Sequence, residues 1–416
     1  MPERRVFYVT AFVRAVTTSL VGVLIGVYLA RQGIAGTALG TIVSAGLVGA
    51  ALAAVVATFL ADRIGRRRFL IVLAVLSVLG TIAFAFSTSP LALAAAAFVG
   101  MLNGMGKDRG AALILEQAAL PGTTTSGGRT QVIAWYTMLQ DLGHAAGALL
   151  AGLPTLLEAT THLRGASPHR ATLLGCAALG LVAVVLYSRL GADVEVAAGT
   201  RSPGLAPRSR GIITKISALF AIDSLAGGFL TTALLSYFFF ERFGVTEGII
   251  GVLFFGARLM NAASHLGAAW LAKRFGLVNT MVFTHIPSSL LLVTVAFAPT
   301  FAIAAVLFLL REGLVEMDVP TRQSYVLAVV QPEERTFASG ITNLVRLSAW
   351  AVAPAFAGAL MNGDSMYLPL VIGAGMKITY DLMLWRAFRG IRPPEEAPFH
   401  PQPGDEPAPK ERPLTP

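Results

Sequence analysis

Three consecutive charges, Lys107, Asp108 and Arg109, end a long stretch of small and apolar residues, "LALAAAAFVGMLNGMG". A charge surrounded by hydrocarbon is costly, and it is retained where it faces a cavity or a partner. The same holds for Arg14, Asp223, Arg258, Arg311, Glu312 and Arg346, which also interrupt apolar runs. These nine are the candidates for contact with a polar solute. Arg14, Arg109, Arg258 and Arg346 would suit an anion unless nearby acids neutralise them. Carrying a proton needs a carboxylate or histidine that changes charge near neutral pH. Asp141 and His144 are three apart and share a helical face, and Glu312 and Glu316 are four apart. Those four are the proton-coupling candidates. For each charge the plain alternative is a structural ion pair.

Charges placed this way need membrane helices to hold them. The chain has 416 residues, 55% hydrophobic and 13% charged, with a mean hydropathy of +0.68. A water-soluble chain carries about 25% charged residues. Apolar stretches of about 20 residues recur throughout, each long enough to cross a bilayer as a helix. Twelve spans are expected, at 6–30, 38–61, 69–87, 90–118, 130–157 and 169–190, then 212–240, 246–272, 277–297, 300–328, 336–361 and 365–388. A polar, Gly- and Pro-rich break at 191–210 separates residues 1–190 from 211–390, two six-helix bundles. The tail, 391–416, is expected to be disordered. Span 4 as one helix would place Arg109 and Glu116, seven apart, on one face, with Asp108 elsewhere. Lys377 and Asp381, four apart on span 12, are expected to pair. His162 and His169 are expected to be solvated in an outer loop.

The two halves repeat one another. At an offset of 211, "FLADRIGRR" falls on "WLAKRFGLV", Gly33 on Gly244 and Gly40 on Gly251; at 210, Asp108 falls on Asp318. Parallel repeats of this kind build transporters about an axis along the membrane normal. Basic residues concentrate in the even connections and at the two ends, so both termini are expected in the cytoplasm. The net charge of +9 then reflects topology and anionic lipid, with no nucleic-acid footprint.

The stretch "TFLADRIGRR", residues 58–67, resembles the signature loop of the major facilitator superfamily, and the likeness extends to about residue 390. The resemblance implies an all-α, polytopic fold of twelve helices in two pseudo-symmetric bundles. Spans 1, 2, 4, 5, 7, 8, 10 and 11 would line a central cavity, and spans 3, 6, 9 and 12 would support it. The charges follow that division; span 9 has only His285. The resemblance also implies a cytoplasmic latch of Asp62, Arg63, Gly65, Arg66 and Arg67. Gly143, Gly147 and Gly152 on span 5 partly match a glycine run of antiporters. Ala148 replaces its proline, and Gly100 stands where such proteins have an arginine.

The function expected is secondary active transport of a small organic solute, as proton-coupled export, with uptake or facilitated diffusion of a polar or anionic solute as the alternative. A non-transporting membrane receptor is a third reading. No phosphate-binding loop or metal-ligand spacing is present, so neither an enzyme, a cofactor nor a metal is expected. The partners expected are the solute, protons and the lipid bilayer, with the protein a monomer. Arginine in large excess over lysine suggests the inner membrane of a GC-rich bacterium.

Overall fold

The computed structural model describes residues 3–124, 129–191, 206–318, 322 and 334–388. The expected central break from 192 to 205, Pro320 and the tail lie outside them. Among the described residues the regular elements are all helical. The first half contains α1 (Glu3–Arg31), α2 (Gly36–Ile64), α3 (Arg66–Phe86), α4 (Pro90–Gly100), α5 (Ala111–Ala119), α6 (Arg129–Leu150), α7 (Leu153–Thr160) and α8 (Ser167–Ser188). The second contains α9 (Pro207–Gly228), α10 (Thr232–Phe243), α11 (Glu247–Phe275), α12 (Leu277–Ala296), α13 (Phe301–Val315), α14 (Arg335–Leu360) and α15 (Leu368–Phe388). Among the described residues, eight helical stretches are long and apolar enough to cross a membrane. Large apolar side chains such as Leu91 (82% exposed) and Phe283 (63%) face outward, as a hydrocarbon solvent permits.

Three expected spans are each two helices. Span 5 divides at Ala151–Gly152 and span 7 at Phe229–Thr231. Span 4 ends α4 at Met101, which takes the left-handed conformation (φ +52°), and resumes as α5 at Ala111. Arg109 and Glu116 therefore do not share a helical face, which corrects the expectation for span 4. Unpaired backbone is tolerated at membrane depth only where protein satisfies it. Here the other half does so: Ala233 N donates to Gly104 O (3.0 Å), Thr232 Oγ1 to Met105 O (2.8 Å) and Arg258 Nη2 to Gly106 O (3.1 Å). The interrupted spans 4 and 7 thus dock on each other.

The apolar core is joined at one end and divided at the other. Away from the termini a single cluster runs through both halves, from Leu24 and Ile42 to Phe239 and Ala357. At the terminal face there are two clusters. One lies in the first half around Phe7, Leu70 and Leu186, and the other in the second half around Ile216, Met281 and Leu384. Close packing of α1 on α10 and of α2 on α14 closes the far end. His169 lies in this closed end; it is 1% exposed and stacks on Tyr28, so it is buried rather than solvated.

The repeat is visible in the backbone. Gly65 links α2 to α3 with φ +102°, and Gly276, its match at offset 211, links α11 to α12 with φ +86°. Each donates its N–H back to the preceding helix, to Ala61 O and Ala272 O. That region is strained for any residue with a Cβ, which accounts for glycine at both places.

Candidate substrate-binding site

A cavity of about 120 Å³ lies between the halves, walled by the span-4 interruption and by spans 7 to 12. Among the described residues, seven basic side chains line it (Lys107, Arg109, Arg258, Arg311, Arg322, Arg346 and Lys377) against four carboxylates (Asp223, Glu312, Glu316 and Asp318). The formal excess is three positive charges. Four cations take one carboxylate each: Lys107 with Glu316, Arg311 with Glu312, Arg322 with Asp318, and Lys377 with Asp223 at 2.9 Å. Asp223 also reaches Arg322 at 3.2 Å.

The other three are Arg109, Arg258 and Arg346. The guanidinium groups of Arg109 and Arg346 lie over the ring of Trp350, each 4.6 Å from its centre. They come from different halves and share one indole. Arg346 also donates to Ser224 Oγ at 3.2 Å and lies 3.9 Å from Asp223. Arg258 spends one nitrogen on Gly106 O, while its buried Nε has no protein partner among the described residues. Guanidinium groups held by a ring and by neutral oxygens keep their charge available to an anion.

Arg14 and Asp108 belong to another cluster, inside the first half. Arg14 Nε binds Asp108 Oδ2 at 2.7 Å and Nη1 lies 2.9 Å from Glu116 Oε1. Tyr136 and Tyr187 each donate to Glu116 at 2.6 Å. Nearby acids thus neutralise Arg14. His144 Nε2 accepts the N–H of Asp108 at 2.9 Å, which requires a bare ring nitrogen there. Asp141 is exposed and lines a neighbouring cavity with Lys107 and Arg258. Of the expected latch, Arg63 is exposed and Arg67 donates to Ser188 O in its own half (2.5 Å), while the side chain of Asp62 lies outside the description. The span-5 glycines serve close packing: a Cβ on Gly147 would sit 2.2 Å from Val16 O, and one on Gly152 2.9 Å from Gly248 Cα.

The second half contains a buried chain that corrects the expected Lys377–Asp381 pair. His285 of α12 lies between the two. Its Nδ1 is 3.0 Å from Asp381 Oδ1 and its Nε2 3.2 Å from Lys377 Nζ. Spans 9 and 12 therefore reach the cavity. Trp350 and this chain are the cavity-lining elements that sequence reasoning missed. A lone histidine on an otherwise uncharged span was the available signal for His285; nothing marked Trp350.

Two helical halves around a charged cavity, closed at one end and with the buried core divided at the other among the described residues, define a membrane carrier. The model of the Major Facilitator Superfamily matches residues 7–354 and 216–416, and the chain belongs to that family. It is 24% identical over 421 residues to the uncharacterized membrane protein YJR124C of Saccharomyces cerevisiae, covering 93% of this chain and 94% of that one. Its fold is similar to that of the nucleoside transporter NupG (TM-score 0.73, 14% identity, 94% of this chain and 100% of that). It is also similar to the D-xylose-proton symporter (0.69, 14%, 92% and 96%) and to the human organic anion transporter MFSD10 (0.61, 18%, 92% and 100%).

Proposed function

We propose that the protein carries a small organic anion across the membrane by alternating access, coupled to protons. The observation that carries this reading is the three-charge excess of the central cavity, with Arg109 and Arg258 in no ion pair among the described residues and Arg346 only 3.9 Å from an Asp223 already held by Lys377 and Arg322. A neutral solute would give that excess nothing to bind. An anion would complete it, and a flat or aromatic acid would also contact Trp350. The glycines that suggested export are accounted for by packing, so the charge of the site favours the anionic alternative over a direction set by a helix pattern. We take the terminal face as cytoplasmic, from the placement of the basic loops, and the state as open inward. The divided core at that face supports it.

Uptake of a radiolabelled panel into proteoliposomes tests the reading. Lactate, benzoate, citrate, xylose and uridine are offered in both orientations, with and without an imposed pH gradient. Accumulation of one or more acids, with the sugar and nucleoside excluded, is the expected outcome. Transport of the neutral solutes alone would overturn it.

A further inference from the structure

We infer that His285 and Lys377 form a one-proton site whose occupancy sets how strongly the cavity binds an anion; the inference rests on the proton coupling proposed above. The starting point is the contact between two nitrogens at 3.2 Å, His285 Nε2 and Lys377 Nζ. One must donate and the other accept. An ammonium has only donors, so the imidazole nitrogen facing it is bare, and the ring proton lies on Nδ1, donated to Asp381. His285 is therefore neutral in this state, and its bare Nε2 has room for a proton. The site is 1% exposed at His285 and 0% at Asp381, yet His285 and Lys377 both line the cavity, so a proton from solvent can reach it.

The surroundings are rich in charged side chains. α15 supplies Lys377, Asp381 and Tyr380, whose ring meets His285 edge-on at 6.3 Å. Asp223 comes from α9, Arg346 from α14, and Arg322 stands beside Asp223. On the cavity side, α13 presents Arg311 and Glu312, which pair with each other, and α11 presents Arg258.

The proton step balances simply. Lys377 passes one ammonium proton to His285 Nε2 and takes the incoming proton in its place. Both groups then carry a positive charge and both are donors, so the 3.2 Å contact cannot persist. The imidazolium is held by Asp381. Lys377 is driven onto Asp223, the carboxylate it already meets at 2.9 Å and the one that Arg346 approaches at 3.9 Å. Asp223 is then more fully neutralised by lysine, Arg346 is released toward the cavity, and the cavity gains one positive charge. Proton and anion thus favour the same state. By linkage each raises the affinity for the other, and the two move together in one direction.

The site can be read without any substrate, by ¹⁵N-histidine NMR of the full chain in nanodiscs. The signal lost in His285→Gln assigns the residue. At high pH it should show the neutral ring protonated at Nδ1, and on acidification it should convert to imidazolium. Lys377→Gln should move that midpoint up, and Asp381→Asn should move it down, each by about one pH unit or more. A ring protonated at Nε2 at high pH, or a midpoint indifferent to both substitutions, would overturn the proton site. Should His285→Gln not fold, the signal that moves in both other variants identifies His285. Transport separates the two levels. If wild-type accumulation of the panel acids needs a pH gradient and His285→Gln retains exchange but loses accumulation, the coupling role stands. If His285→Gln accumulates as wild type does, that role is wrong. If wild type itself ignores the gradient, the proton-coupled reading fails whatever the NMR shows.

Discussion

Glu247 Oε1 and Arg31 Nε lie 2.5 Å apart at the closed end, and they belong to different halves. Glu247 is the first residue of α11 and is 1% exposed. Arg31 is the last residue of α1 and also reaches Oε2 at 3.1 Å. His169 meets the same carboxylate at 3.0 Å and Thr155 at 3.2 Å. One side chain of the second half is thus held by three helices of the first. Opening this end requires all four contacts to break together.

Glu247→Gln should therefore favour the state in which this end is open. Arg31 is partly solvated and can shed part of its loss to water, so the shift is set at roughly tenfold in the equilibrium, about 1.4 kcal/mol. Spin labels on Thr37 and Glu241, in a background with Cys176→Ala, would report it as a longer distance. Unchanged distances would mean that the apolar core alone closes this end.

Glycine substitutions should divide by where the glycine packs. A Cβ on Gly40 of α2 would lie 2.2 Å from Pro354 O of α14, across the halves; one on Gly147 of α6 would meet Val16 O of α1 at the same distance, within one half. Gly40→Val should stop transport with little loss of melting temperature, because the halves can part. Gly147→Val should cost about 1–3 kcal/mol of stability, because a bundle cannot. Equal melting losses in both would contradict the division.

That difference also marks what could be read from the sequence. Spans, repeat and charge distribution were legible, because hydrocarbon demands long apolar helices and a repeat preserves offsets such as Gly65 to Gly276. The interruption of span 4 was not. Glycines and charges at 101–110 permit a bend, but the full break depends on carbonyls satisfied by Thr232, Ala233 and Arg258, more than a hundred positions away. Arg14 and Arg109 looked alike in the sequence as intramembrane arginines. Only three-dimensional neighbours separate the one held between Asp108 and Glu116 from the one resting on Trp350.

Trp350 should matter to affinity more than to folding. It is the shared platform of Arg109 and Arg346, whose guanidinium groups sit 4.6 Å from its ring. A cation over an indole gains about 0.5–2 kcal/mol, so Trp350→Leu releases two arginines at once. Half-saturation for the transported acid should rise roughly tenfold, with the maximal rate changed less. Arg346→Lys should do the same, since charge is kept but the planar stack is lost. A Trp350→Leu variant with unaltered half-saturation would remove the indole from the site.

The cluster in the first half makes a prediction about stability in which the double variant is milder than the single one. Arg14 is the one guanidinium between two carboxylates, Asp108 at 2.7 Å and Glu116 at 2.9 Å, and Glu116 is 0% exposed. Removing one partner of a buried ion pair costs about 3–5 kcal/mol, because the remaining charge is uncompensated. Arg14→Met strands two charges and should be the most damaging change in the cluster. Glu116→Gln strands none: Arg14 keeps Asp108, and the new amide can accept from one of Tyr136 and Tyr187 and donate to the other. It should cost about 1 kcal/mol. Adding Glu116→Gln to Arg14→Met removes one of the two stranded charges, so the double variant should melt higher than Arg14→Met alone. Thermal melts of the three proteins in one detergent decide it. If the double variant melts lower than Arg14→Met, the stability of this cluster comes from the hydrogen bonds of Glu116 with the two tyrosines rather than from its balance of charge.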